Sequence, residues 1–100
     1  MSLALRWTEQ ATQQLEAIAE YISVSSPVYA EQVVERVVAR LRQVQEYPES
    51  GRRVPEAPGV DIREVVEPPY RLIYRVRYET VEIVAIVHGR QDLPSHLPRR

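Results

Sequence analysis

The sequence predicts an α+β fold of order β-α-α-β-β-β, a helical hairpin packed on a small, mostly antiparallel sheet. Three observations carry that reading. Two consecutive stretches in the first half repeat apolar residues at helical spacing. The break between them is only a few residues long, which suits an antiparallel helix pair. The second half then changes to the two-residue alternation of strands. With 100 residues, 44% hydrophobic and 27% charged, the chain has material for one domain, burying roughly 65% of its unfolded surface. We expect that domain over residues 1–93, followed by a tail over 94–100 that contains Pro94, Pro98, Arg99 and Arg100.

The elements follow in order. Leu3-Ala4-Leu5-Arg6-Trp7 alternates as a half-buried strand does. Thr8 offers an N-cap and Glu9 an acid in the first helical turn. Ala11, Leu15, Ile18, Ala19 and Ile22 then form one apolar stripe, with Gln13, Gln14, Glu16 and Glu20 on other faces. Ser26 and Pro27 start a second helix, because proline lacks only an N–H that the first turn would leave unpaired. Its stripe is Ala30, Val33, Val34, Val37, Val38, Leu41 and Val44, ended by Tyr47-Pro48. Valine is a mediocre helix former, but the 3.6-residue spacing and the flanking charges decide for helix. Arg52 to Gly59 reads as a Pro-rich loop and Val60 to Glu67 as a strand, interrupted by Pro68-Pro69. Tyr70 to Tyr78 is the clearest strand. Tyr70, Leu72, Tyr74, Val76 and Tyr78 lie on one face and Arg71, Ile73, Arg75 and Arg77 on the other. A tight turn near Glu79-Thr80 leads to Val81 to His88, apolar on both faces as a central strand is.

Composition excludes several classes of function. There is no cysteine, hence no disulfide, thiolate metal site or cysteine nucleophile. A net charge of −1 is not that of a protein built to coat DNA. No apolar run approaches the ~20 residues that span a bilayer. Ser2-Leu3-Ala4-Leu5-Arg6 lacks the basic start and apolar core of a signal peptide, so a cytoplasmic location is expected. All thirteen basic residues are arginine, while lysine, asparagine and phenylalanine are absent. That bias is the mark of a GC-rich genome. Its physical result is that every side-chain cation except histidine carries a planar fork matched to carboxylate or phosphate.

Most catalytic patterns are missing: there is no Gly-rich phosphate loop and no nucleophile elbow. His88, Asp92 and His96 are spaced by four, but they follow a strand with Pro94 among them, so no metal site and no cofactor are expected. The arginine row is more informative. Arg71, Arg75 and Arg77 project the same way, with Arg63 on the preceding strand and Arg90 just past the last one. Like charges gather only with anionic partners. Those partners are either Glu64, Glu67, Glu79 and Glu82 within the sheet, or another macromolecule. Arginine stays protonated at neutral pH and is a poor proton shuttle, which leaves His88 as the titratable group near the strand end.

Tyr70-Arg71-Leu72-Ile73-Tyr74-Arg75-Val76, followed by Val81-Glu82-Ile83-Val84-Ala85-Ile86-Val87-His88-Gly89-Arg90-Gln91-Asp92, resembles the RelE/ParE toxins of type II toxin–antitoxin modules. The resemblance runs over nearly the whole chain. Its start is similar to the family's first strand and helix, and Tyr47-Pro48-Glu49-Ser50-Gly51-Arg52 to the turn after the second helix. The ending, with its His88-Gly89 pair, looks like the ParE branch.

The resemblance implies different chemistry for the two branches. RelE-like toxins cut messenger RNA on the ribosome with basic residues of the sheet and a Tyr or His near the C-terminus. ParE-like toxins poison DNA gyrase by binding. This chain has no lysine and ends in Gly89, Arg90 and Gln91 where the nucleases carry a His-Tyr or Tyr ending, which favours gyrase. Under that reading no residue is catalytic, and Arg63, Arg71, Arg75, Arg77, His88, Arg90 and Asp92 bind the target or an antitoxin. Removing Arg71 and Arg75 together should then weaken binding and leave the fold intact. The implied partners are a co-encoded, ParD-like antitoxin and gyrase, with no membrane and with DNA met only through the antitoxin. The alternatives are a ribosome-dependent endoribonuclease assisted by His88, and a non-toxic antitoxin-binding protein.

Overall fold

A computed structural model of the chain describes residues 2–89 and residue 93. Arg90, Asp92 and the expected tail over 94–100 lie outside the described residues. The elements are β1 (Ala4–Trp7), α1 (Glu9–Ser23), α2 (Pro27–Glu46), β2 (Arg52–Arg53), β3 (Arg63–Glu67), β4 (Tyr70–Arg77) and β5 (Thr80–His88). The five strands form one sheet in the order β1-β5-β4-β3-β2. β1 runs parallel to β5, and the other pairs are antiparallel. The predicted α+β fold is therefore the observed one, with one short strand more than expected.

Both helix starts follow from their caps. The Thr8 hydroxyl accepts from the Ala11 N–H at 3.1 Å and donates to the Ile83 carbonyl at 2.9 Å, so the cap of α1 also fixes it to β5. Ser26 accepts from the Tyr29 N–H at 3.1 Å, with Pro27 at the first helical position. β1 pairs with β5 only as far as Ile83. Beyond that point the side chain of Gln14 takes over and accepts the Ile86 N–H at 2.8 Å.

One face of the sheet is covered by the helices. Ala30, Val33, Val37, Leu41 and Val44 of α2 are buried. Val37, Leu41 and Val44 pack with Ala11, Val65, Leu72, Tyr74, Val81, Ile83 and Ile86. Burying one such aliphatic side chain contributes roughly 1.5–3 kcal/mol, which outweighs the helix cost of the valines. The opposite face carries a smaller cluster of Val54, Ile62, Ile73, Val84, Ala85 and Val87, with Ala57, Val60 and Leu93 against it. The segment between β2 and β3 thus folds back over the sheet.

Three details depart from the reading of the sequence. The predicted strand from Val60 begins at Arg63 instead, because Val60 and Ile62 turn inward onto that smaller cluster. The Pro-rich loop opens with β2, in which Arg52 and Arg53 pair with Glu64 and Arg63. Finally, β4 and β5 slip by one residue: Ile73 faces Ala85 and Tyr74 faces Ile83, leaving Val84 as a bulge. Val84 and Ala85 therefore point to one face together, so the doubly apolar character of β5 marks a bulge as well as a central strand. The β4–β5 turn is a two-residue hairpin with Tyr78 and Glu79 at φ 52° and 59°, the left-handed values that match the twist of the strands.

Candidate functional site

Arg71, Arg75 and Arg77 do share the sheet face opposite the helices, as the period of two requires: they lie across from Val87, Glu82 and Thr80. The environment divides them. Arg71 is held under the 54–62 segment, with 8% of its side chain exposed. Its Nη1 and Nη2 donate to the two Glu56 carboxylate oxygens at 2.6 and 2.8 Å. Its Nε donates to Glu64 at 2.8 Å, and Nη2 also pairs with Glu64. Glu64 is fully buried and completes its shell with Arg52, at 2.7 Å. The fork–fork pair to Glu56 is the leading reason the guanidinium holds its proton even more firmly than usual. Reciprocally, the Arg71 hydrogen bonds hold the Glu56 carboxyl below the ordinary carboxylate range. Arg71 was expected to bind a target or antitoxin; its donors are already committed inside the fold.

The other end of the row is open. Arg75 donates its Nε to Glu82 at 2.6 Å with 28% of its side chain exposed. Glu82 lies between two strands, opposite Arg75 on β4 and Arg6 on β1, and its second oxygen accepts from Arg6 Nη1. Arg77 makes no ion pair among the described residues; its guanidinium lies 5.5 Å from the ring centre of Tyr78.

The remaining expected residues do not join this face. Arg63 is paired with Tyr74 in the sheet and so belongs to the helix side. There its Nη1 donates to the Gly51 and Glu49 carbonyls at 2.8 and 3.4 Å, fastening the turn after α2. Tyr74 fastens the same turn: its hydroxyl donates to the Pro48 carbonyl at 2.8 Å and accepts from the Gly51 N–H at 3.0 Å. A Cβ on Gly51 would lie 2.5 Å from that hydroxyl oxygen, which is why a glycine stands there. His88 faces Tyr70 edge-on at 6.1 Å, again on the helix side, at the far end of the sheet. Both line an apolar cavity of about 370 Å³ with Gln14, Ala17, Ile18, Tyr21 and Ile86. Burial raises the phenol pKa of both Tyr70 and Tyr74, so neither supplies a base at neutral pH.

The expected residues that are described therefore fall in four separate places: a closed ion-paired end, an open cationic end, the turn after α2 held by Arg63, and an aromatic corner. Sequence reasoning missed Arg6, Glu56 and Tyr78. Arg6 has a signal in hindsight, since its parity on a short strand gives it a sheet face. Glu56 has none, because it sits in a loop whose path only the fold decides.

The matches to known proteins agree with this architecture. The family model described as the ParE toxin of the type II toxin–antitoxin system, parDE, matches residues 5–93. Protein Y4kP of Sinorhizobium fredii is 36% identical over 97 residues, covering 93% of this chain and 95% of that one. Toxin RelE2 of Caulobacter vibrioides is 39% identical over 84 residues, covering 83% and 91%. Among solved structures, the chromosomal ParDE toxin–antitoxin system of P. aeruginosa matches with a TM-score of 0.73 at 26% identity, covering 87% of this chain and 96% of that one. The RelBE2 toxin–antitoxin complex of Mycobacterium tuberculosis shares the fold, with a TM-score of 0.62 at 22% identity and coverage of 88% and 99%. A helical hairpin on a five-stranded sheet, an arginine-bearing fourth strand and a family match running from Leu5 to Leu93 lead to one conclusion: the chain belongs to the ParE toxin family of type II toxin–antitoxin systems.

Proposed function

We propose that this toxin acts by binding DNA gyrase, without cutting RNA, and that a co-encoded antitoxin neutralises it. One observation carries the reading. The arginine at the heart of the strand, Arg71, is closed off by Glu56 and Glu64. A nuclease of this fold would need that face to hold RNA phosphates and move a proton. Here the exposed members of the row are arginines, which bind anions without exchanging protons. The chain also has no lysine to replace them.

An antitoxin fits the apolar surface on the other side of the molecule. Tyr21, Val24, Val28 and Tyr29 are exposed together around the tip of the helical hairpin, close to the cavity of Tyr70 and His88. Monomeric proteins seldom leave so much clustered apolar surface in water. No helix among the described residues is long and apolar enough to cross a membrane.

Two parallel assays test the reading. Purified toxin is added to a gyrase supercoiling reaction and, separately, to a translation reaction read by primer extension. Loss of supercoiling with trapped, cleaved DNA is expected. Codon-linked breaks in the message with gyrase unaffected would assign the chain to the nuclease reading, with His88 as the group to test first.

A further inference from the structure

The open end of the arginine row forms a cavity of about 250 Å³, lined by Arg6, Arg75, Arg77, Tyr78, Thr80 and Glu82. Three neighbouring strands build it in register. Arg6, Glu82 and Arg75 stand side by side on β1, β5 and β4, and Arg77 is one step further along the same face. Glu82 spends both carboxylate oxygens, one on Arg6 and one on Arg75. It orients both forks and neutralises only one of the three charges. Among the described residues, no hydrogen bond or ion pair uses the terminal amino groups of Arg75, the Nε and Nη2 of Arg6 or any donor of Arg77, whose guanidinium lies over one side of the Tyr78 ring. Glu79 lies in the adjoining turn but does not line the cavity.

We propose that this cavity is a phosphate-recognition site whose ligand is the terminal phosphate of a nucleotide, with its base stacked on Tyr78. Two uncompensated positive charges match a doubly charged phosphate monoester better than a carboxylate. Planar forks grip its oxygens in pairs, and the donors are already in place before the ligand arrives. Tyr78 argues for a nucleotide over an acidic peptide. Its ring is 90% exposed at the cavity rim, where it gains nothing from burial and offers the π-surface that a base requires. Its position in the left-handed turn holds the ring beside the cavity. The site lies at the opposite end of the face from Arg71 and involves Arg6, which no reading of the sequence singled out. It also means that nucleic acid can be met directly, in addition to any contact made through an antitoxin.

The test is fluorescence anisotropy with the purified chain and a short single-stranded thymidylate, labelled at its 3′ end and carrying either a 5′-phosphate or a 5′-hydroxyl. We expect the phosphorylated strand to bind about tenfold more tightly, the scale of one added charge-assisted bidentate contact. Arg77→Ala should abolish that preference. Tyr78→Asn, which removes the ring and still tolerates the left-handed backbone, should weaken the strand without changing competition by inorganic phosphate. Thymidine monophosphate competing as well as the strand would identify the ligand as a free nucleotide; competition only at far higher concentration would identify a strand end. Equal binding of the two strand ends, an unchanged Arg77→Ala variant, or displacement by a glutamate-rich peptide as readily as by the nucleotide would each overturn the proposal. Neither gyrase nor the ribosome is present in this assay, so its failure leaves the choice of target standing, and the reverse holds as well.

Discussion

The two ends of one sheet face are built from the same side chain and have opposite fates. At one end Arg71 is covered by the segment between β2 and β3, meets two carboxylates and has lost nearly all contact with water. At the other end no residue of that segment lines the cavity. Arg6 and Arg75 share a single carboxylate, Arg77 pairs with none among the described residues, and all three keep unused donors. An arginine on a strand is thus a structural clamp or a recognition group according to what lies over it. The pleat alone does not distinguish the two.

The sharpest way to break this comparison is Arg71→Ala. It leaves the fully buried Glu64 with Arg52 alone and should cost about 2–3 kcal/mol, below the full penalty for a buried charge left with no partner. Urea unfolding followed by circular dichroism would measure it. A loss under ~1 kcal/mol, typical of an exposed pair, would place Arg71 with the open end. Removing Arg71 and Arg75 together should consequently damage the fold, contrary to what the outward parity of the row suggests. Adding Glu64→Gln to Arg71→Ala should recover part of the loss, because a neutral amide costs less to bury than a carboxylate.

Next in size is Tyr74→Phe. It leaves the Pro48 carbonyl and the Gly51 N–H without their shared partner and should cost about 1–2 kcal/mol in the same experiment. Acid should act more gently on the closed end. The Glu56 carboxyl is depressed by Arg71 from an ordinary value of 4.5, so its contribution is complete above that pH and is lost as pH falls through the lower folded value. Melting temperature should drop below pH 4.5 in the parent, and the drop should be shallower in Glu56→Gln. Identical acid profiles would mean that Glu56 does not fasten the segment. Smallest of all, Arg77→Ala should change stability by less than ~0.5 kcal/mol, as surface substitutions usually do. A larger cost would show that the open end is structural after all.

Much of this molecule is legible in its residues because the signals are local. Thr8 and Ser26 cap the helices they precede, and Pro27 starts the second one. The stripe from Ala30 to Val44 sets the buried face of α2, and the alternation from Tyr70 to Arg77 sets the two sides of β4. β2 escapes such reading because two residues carry no period; Arg52 is selected there by Glu64 across the strand. The bulge at Val84 escapes for a similar reason, since a one-residue slip is visible only once β4 is alongside.

Sequence by itself therefore determined both helices, their N-caps, the longer strands and which side chains of β4 share a face, all of which depend on neighbours within a few residues. Tertiary structure decided which arginines are spent. Glu56 stands fifteen residues from Arg71 and Glu82 seventy-six from Arg6. Whether a charge is neutralised or available depends on such distant groups arriving at hydrogen-bond distance, and only the folded chain brings them together.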